Sequence, residues 1–396
     1  MNEIQPHRGR DFPALTGLRG FAALWVLTYH AWVAAGPKEL TIDVPLLGLI
    51  EYHPLFGVGW AGVQIFFTLS AFLLALPFAE ASIGLNSRQT AKRSFFLKRL
   101  IRVFPAYYLQ LAILLLLAIW TDALGAFETR HSIYFLTMNF MPEPLGYGFR
   151  NDVNGVWWTL PVELSFYLLL PFFGSLVMGS GRWKVFFGLI FFVFIWRYGV
   201  IALAPIETKT LWFSQLPGSM DSFAIGMMCA YLFVKYETLP NHRQIQILKC
   251  GGLAITAAFA LIVGLVYWLD YIYWIYRTNH PISFIWTPLL SAGFGVLIFF
   301  SALQHRLLKI IFGNRVLCQL GVISYGIYLW HLPVAQWFSN MSVAQSENVY
   351  LFPHYLFVMV VGASLIASIS WLLVEKPSIR IVRNHLIRKN RPKDQP

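Results

Sequence analysis

Arg19, His30, Glu163, Arg197, Asp221 and His331 stand inside long apolar runs of the chain. Charge in such surroundings is costly, and where it persists it faces a protein interior or a wet cavity and marks function. Arg19 and His30 lie eleven residues apart, about three helical turns, so they share one face roughly 16 Å apart along the axis. An arginine can grip a phosphate, and a histidine can take a proton near neutral pH. The pair suits an elongated anionic ligand whose reacting end reaches the histidine. Gly17, Gly20 and Ala23 keep this helix slim and predict a close neighbour.

Three other stretches carry candidate chemistry. In RQTAKRSFFLKRLIRVFPAYY, Arg99 and Arg102 are helical neighbours. They fit a phosphate clamp beside Arg19, and they fit plain topology signalling equally well. In VWWTLPVELSFYLLLP, Glu163 and Tyr167 are one turn apart, and the carboxylate can orient an imidazole. Pro161 predicts a loosened backbone there. In SYGIYLWHLP, Tyr325, Tyr328 and His331 recur every three residues and form a stripe fit to line a pocket. Arg197, Asp221 and Glu163 also fit a structural ion-pair reading. Cys229, Cys250 and Cys318 lack paired spacing and read as buried thiols, not as disulfide or metal ligands.

The elements that position these groups follow from composition. Of 396 residues, 57% are apolar and 12% charged, against about 25% charged in a soluble domain. A soluble enzyme, a nucleic-acid-binding domain and a disordered scaffold are excluded, leaving an all-α polytopic membrane bundle. Runs of about 20 apolar residues fall at 15–36, 57–79, 103–121, 156–178, 185–204, 213–234, 249–269, 284–303, 316–338 and 353–375. Ten transmembrane helices are therefore expected, with 131–141 as a short re-entrant or interfacial helix. Placing the N-terminus inside puts most of the 30 basic residues on the cytoplasmic side, including the run from Lys376 to Lys393. Both termini are then cytoplasmic. The expected organisation is one transmembrane domain over 1–380 and a basic cytoplasmic tail over 381–396, with RNHLIRKNRPKDQP (383–396) disordered beside anionic lipid.

These motifs, in this order, resemble the acyltransferase-3 family of integral membrane acyltransferases. The matching stretches are LTGLRGFAALWVLTYH (15–30), GVQIFFTLSAFLL (62–74), FLKRLIRVFPAYYL (96–109), WWTLPVELSFYLLLP (157–171), MDSFAIGMMCAYL (220–232), ISYGIYLWHLPV (323–334) and LLVEKPSIRI (372–381). Ala71 and Pro161 depart from the family pattern, where a glycine and a small hydroxyl residue are common. The resemblance implies transfer of an acyl group, commonly acetyl, from cytoplasmic acyl-CoA to hydroxyls of surface polysaccharides, lipid-linked glycans or secreted small molecules. It places the family's arginine–histidine pair on Arg19 and His30, its RxxR motif on Arg99 and Arg102, its WxxxxE segment on Trp158 and Glu163, and its late glutamate on Glu375. It also implies that the membrane domain itself engages the acceptor, the soluble esterase-like domain of some members being absent.

On this reading His30 is the catalytic base and Glu163 its orienting or charge-stabilising partner. Arg19, Arg99 and Arg102 bind the donor phosphates, and Trp158, Tyr328, His331 and Glu375 bind substrate or support the site. Acyl-CoA is a co-substrate; no metal and no permanently bound cofactor are expected. Expected partners are acyl-CoA, a glycan or small-molecule acceptor and membrane lipid, with no nucleic acid. The expected location is the bacterial cytoplasmic membrane. An acyl-histidine relay is the alternative mechanism. A multi-pass transporter or flippase for a glycan or small anionic solute is the rival function, and a non-catalytic scaffold the third.

Overall fold

A computed structural model describes residues 11–36, 40–44, 48–85, 92–121, 132–140, 153–272, 282–339 and 351–389. Helix α1 (Pro13–Ala34) opens with a proline in its first turn, where the missing N–H costs nothing. A two-stranded antiparallel ribbon, β1 (Thr41–Val44) and β2 (Gly48–Glu51), follows, and α2 (Pro54–Gly57) leads into α3 (Gly62–Ser82). The ribbon adds a small β element to the expected all-α architecture. Tyr267 donates to Glu51 O at 2.7 Å.

The bundle continues through α4 (Lys92–Trp120), α5 (Ser132–Thr137), α6 (Thr159–Met178), α7 (Arg182–Leu203), α8 (Ile206–Ser214), α9 (Leu216–Glu237), α10 (Asn241–Tyr271) and α11 (Ile282–Ala302). It ends with α12 (Arg306–Phe312), α13 (Arg315–Val322), α14 (Ser324–Ser339), α15 (Leu351–Ser370) and α16 (Lys376–Lys389). Among the described residues, seven helices are long and apolar enough to cross a membrane, and the pair α13 and α14, bent by 77°, makes an eighth if counted as one span. The expected straight span over 316–338 is thus broken at Ile323. Segment 131–141 holds only the six-residue α5.

Helices α1 and α9 have 22 residues each, a membrane-crossing length, yet fall outside that apolar set. The reason is where they sit. Nearly every residue of α9 is buried, and α1 packs against α3, α11, α12, α13, α14 and α15. A helix enclosed by other helices need not be apolar to satisfy lipid. The outer helices show the opposite pattern, with Phe187, Phe191, Ile195, Leu253, Phe357 and Leu365 all exposed. Large apolar side chains facing outward in this number suit hydrocarbon.

Contact between α1 and its neighbours is at backbone distance. A Cβ on Gly17 would meet Phe312 O, one on Gly20 would meet Leu317 O, and one on Gly321 would meet Thr16 O. The slim face predicted for α1 is where α12 and α13 press against it. At the other end of the chain, a π-helical turn (Trp371–Glu375) joins α15 to α16, which runs on as helix to Lys389. The stretch 383–389, expected as disordered, is therefore helical; residues 390–396 lie outside the described residues. Cys229 is buried, Cys318 partly so and Cys250 exposed, which corrects the reading of Cys250 as a buried thiol.

Candidate active site

His30 sits on α1 and His331 on α14, and the bundle brings their rings together at 4.8 Å between centroids. His331 Nε2 lies 3.1 Å from His30 Nδ1. Each ring also turns its Nδ1 toward its own helix, His30 to Val26 O at 3.0 Å and His331 to Ile327 O at 3.2 Å. His331 is fully buried. His30 is half-buried and lines a cavity of about 370 Å³ together with Tyr29, Trp60, Gln64, Trp158 and Tyr328.

The arginines gather on the other side of Tyr328. Arg19 from α1, Ser70 from α3, Arg102 from α4, Glu163 and Tyr167 from α6, and Tyr325 from α14 line a second cavity of about 60 Å³. Glu163 accepts hydrogen bonds from Tyr167 at 3.0 Å and Ser70 at 3.4 Å. Arg99, one turn before Arg102, is within electrostatic reach of Arg19, Arg102 and Glu163. Glu375, buried at the end of the π turn, accepts from Ser370 at 3.2 Å and feels the charges of Arg102 and Arg19. Among the described residues, no hydrogen bond or ion pair engages the Arg19, Arg99 or Arg102 guanidinium, and Arg99 Nε is buried without an acceptor. Unfilled donors on a buried cation are costly. Arg19 and Arg102 in the wall of the smaller cavity, with Arg99 one turn away, make a place for an anion.

Tyr328 and Val63 line both cavities. The larger one draws on the second half of α1 and the N-terminal ends of α3, α6 and α9; the smaller one draws on the first half of α1 and the body of α6. They lie at successive levels of the bundle and share Tyr328 in their walls.

Prolines help to hold this arrangement. In a helix the N–H of residue i bonds to the carbonyl of i−4, and proline has no N–H. Pro333 therefore leaves Leu329 O free, and Gln110 fills it at 2.6 Å and Asn154 at 2.9 Å. Gln110 in turn accepts from Trp157 Nε1 at 2.9 Å. This clamp fixes α14 between Tyr328 and His331. The same device recurs at Pro288, which frees Phe284 O for Arg197 Nη1 at 3.1 Å.

Arg197 also donates to Asp221 at 2.8 Å and to Gly218 O at 2.6 Å. Asp221 accepts in addition from Thr287 at 3.0 Å and from the Ser222 N–H at 2.8 Å. Both charges are buried and fully paired in the wall of the larger cavity. The ion-pair reading of these two residues matches their geometry.

Placement of the sequence-derived candidates is mixed. Arg19, Arg99, Arg102, Glu163 and Glu375 form one cluster, while His30, Trp158 and Tyr328 line the larger cavity and His331 is buried against His30. Glu163 does not orient His30; its bonds go to Ser70 and Tyr167, and the partner of His30 is His331. Pro161 lies in the first turn of α6, where it breaks no helical bond. Gln110, Asn154 and Ser70 were not singled out from sequence. Gln110 had a signal, being a lone amide within the apolar run YYLQLAILLL.

A family model described as Acyltransferase domain matches residues 12–372. The chain is 27% identical over 322 residues to ORF330 of Acidianus two-tailed virus, a protein provisionally named an acetyltransferase, covering 81% of this chain and 82% of that one. It is 25% identical to nodulation protein 10 of Rhizobium leguminosarum bv. viciae, covering 92% of each. To the O-acetyltransferase OatA of Staphylococcus aureus it is 22% identical, covering 93% of this chain and 57% of that protein. The chain thus spans little more than half the length of OatA. No solved structure matches.

Proposed function

From the premise that the chain belongs to the acyltransferase-3 family, we propose that it is an integral-membrane O-acyltransferase. It takes an acyl group, in the first instance acetyl, from cytoplasmic acyl-CoA and gives it to a hydroxyl of a surface or lipid-linked glycan or of a secreted small molecule. The observation that carries this reading is the meeting of two cavities at Tyr328, one lined by unpaired arginines and the other holding His30.

Arg19, Arg99 and Arg102 hold the donor's phosphates. The thioester end extends along α1, and the roughly 16 Å from Arg19 to His30 gives the donor arm its path. In the larger cavity the acceptor hydroxyl approaches His30. Nε2 of His30 takes the hydroxyl proton as the oxygen attacks the thioester carbonyl. The tetrahedral intermediate then expels the thiolate, which receives that proton from the imidazolium. Acyl ester and free thiol leave, and His30 is neutral again. Glu163, held by Ser70 and Tyr167, offsets part of the arginines' charge, and Trp158 and Tyr328 offer flat apolar faces to the acceptor.

With α1, α9 and the bent pair counted beside the seven apolar helices, the chain crosses ten times. Both termini then lie in the cytoplasm of a bacterial cytoplasmic membrane, on the side where the basic residues concentrate.

Purified protein in lipid nanodiscs, given radiolabelled acetyl-CoA, tests this directly. Acetyl transfer or slow hydrolysis is expected from wild type. His30→Ala should lose about 10²–10⁴-fold in rate while binding acetyl-CoA as wild type does. Undiminished turnover by His30→Ala removes His30 as the base.

A further inference from the structure

We propose that His331 is a positioning residue that fixes the protonation state of His30. This rests on the reading of His30 as the base, and it goes beyond it by naming what prepares that base.

The two carbonyls at the rings decide where the protons are. Val26 O is 3.0 Å from His30 Nδ1, and Ile327 O is 3.2 Å from His331 Nδ1. A carbonyl oxygen only accepts, so each Nδ1 carries its hydrogen. A neutral imidazole has one N–H, which leaves both Nε2 atoms bare. The single Nδ1 hydrogen of His30 then lies between two acceptors, Val26 O and, at 3.1 Å, His331 Nε2, and the ring–ring contact is matched, with His30 donating and His331 accepting. The alternative tautomers would set ring lone pairs against two carbonyls at once. Were the resting His331 protonated, two N–H groups would face each other across that contact.

His30 Nε2 is therefore left with a lone pair and, among the described residues, no hydrogen-bond partner. When it accepts a proton from the hydroxyl, the ring becomes a cation and its Nδ1–H binds His331 Nε2 more strongly than before. The contact thus strengthens as charge develops, and an interaction of that kind raises kcat without tightening donor binding. His331 acts through His30, in the way that the third member of a nucleophile–base–orienter set acts through its base. What makes it suited to this is its own fixity. It is fully buried, and the Gln110–Asn154 clamp on Leu329 O holds the turn just before it.

Variants of different reach at position 331 provide the test. In His331→Gln the amide oxygen extends to where Nε2 stood and accepts from His30 Nδ1. His331→Asn is as polar but too short, and His331→Leu fills similar space without an acceptor. Acetyl-CoA titrations of the three purified proteins should show the Gln variant close to wild type. The Asn and Leu variants should fall roughly 10- to 100-fold in kcat, the worth of a hydrogen bond to a charged group, with KM for acetyl-CoA unchanged. Equal kcat for Gln and Asn, whether both high or both low, overturns the proposal, as does a loss that appears in KM alone. If the Leu variant does not fold, the Gln–Asn comparison still decides. His30→Ala is run alongside. Full activity there removes the base assignment itself, whereas an inactive His30→Ala beside indifferent position-331 variants refutes only the role of His331.

Discussion

The Tyr328 hydroxyl donates to the Val156 carbonyl at 3.2 Å, tying the residue between the two cavities to the turn that starts α6. Tyr328, with Val63, is in the wall of both cavities. Tyr328→Phe removes one neutral hydrogen bond, worth about 1 kcal/mol, and should leave donor and acceptor compartments apart. Tyr328→Ala opens a passage between them. Its expected signature is a higher ratio of acetyl-CoA hydrolysis to acyl transfer, read from free thiol release against labelled product.

The arginine cluster can be divided into charge and geometry. Lysine keeps the positive charge that governs insertion but lacks the planar fork that grips two phosphate oxygens. Arg99→Lys and Arg102→Lys should therefore express and insert as wild type and need roughly tenfold more acyl-CoA for half-maximal rate, an effect of about 1.4 kcal/mol. Dephospho-CoA thioesters should show a smaller gap between wild type and variant. Superimposable donor titrations would reduce these residues to topology signals.

Arg197 and Asp221 form a buried pair whose value depends on both members. Removing one charge strands the other, at a cost of about 3–5 kcal/mol. Arg197→Met alone should lower the thermal midpoint in detergent more than Arg197→Met combined with Asp221→Leu. A double variant less stable than the single would mean that the pair contributes net stability here.

Much of this was legible from the chain, and the failures share one cause. Helical periodicity correctly put Arg19 and His30 on one helix and Glu163 beside Tyr167, because both are relations within a single element. It could not say which faces meet. The partner of His30 is 301 residues away and the carbonyl filled by Gln110 is 219 residues away. Glu163 was accordingly matched to the wrong group. The break at Ile323 has a related origin. It follows from Gly321 lying against Thr16 O on another helix and from Ser324 Oγ bonding Gly321 O at 2.9 Å. Neither leaves a gap in the apolar run. Counting apolar residues also treats α1 and α9 as lipid-facing spans, when enclosure by their neighbours is what lets them carry polar groups.

Orientation is open to chemical labelling. In a cysteine-free background, single cysteines at Ser94, Ser180 and Gln304 should react with an impermeant thiol reagent only from the cytoplasmic side. Those at Leu40, Glu128 and Ser346 should react only from outside; Glu128 and Ser346 lie outside the described residues. Reversed access at a well-expressed site would change the number of crossings before it.

Pro333 and Gln110 have a consequence for heredity. Either change alone is harmful: alanine at 333 restores an N–H that competes with Gln110 and Asn154 for Leu329 O, and leucine at 110 leaves that oxygen to Asn154 and strands the Trp157 indole N–H. Made together, the two changes let the helix satisfy its own carbonyl, with the Trp157 donor still lacking its acceptor. The two substitutions should thus couple favourably in stability, the double variant costing less than the two single costs summed. A lineage that exchanges this proline for another residue is then less bound to keep the glutamine on a helix more than two hundred residues earlier.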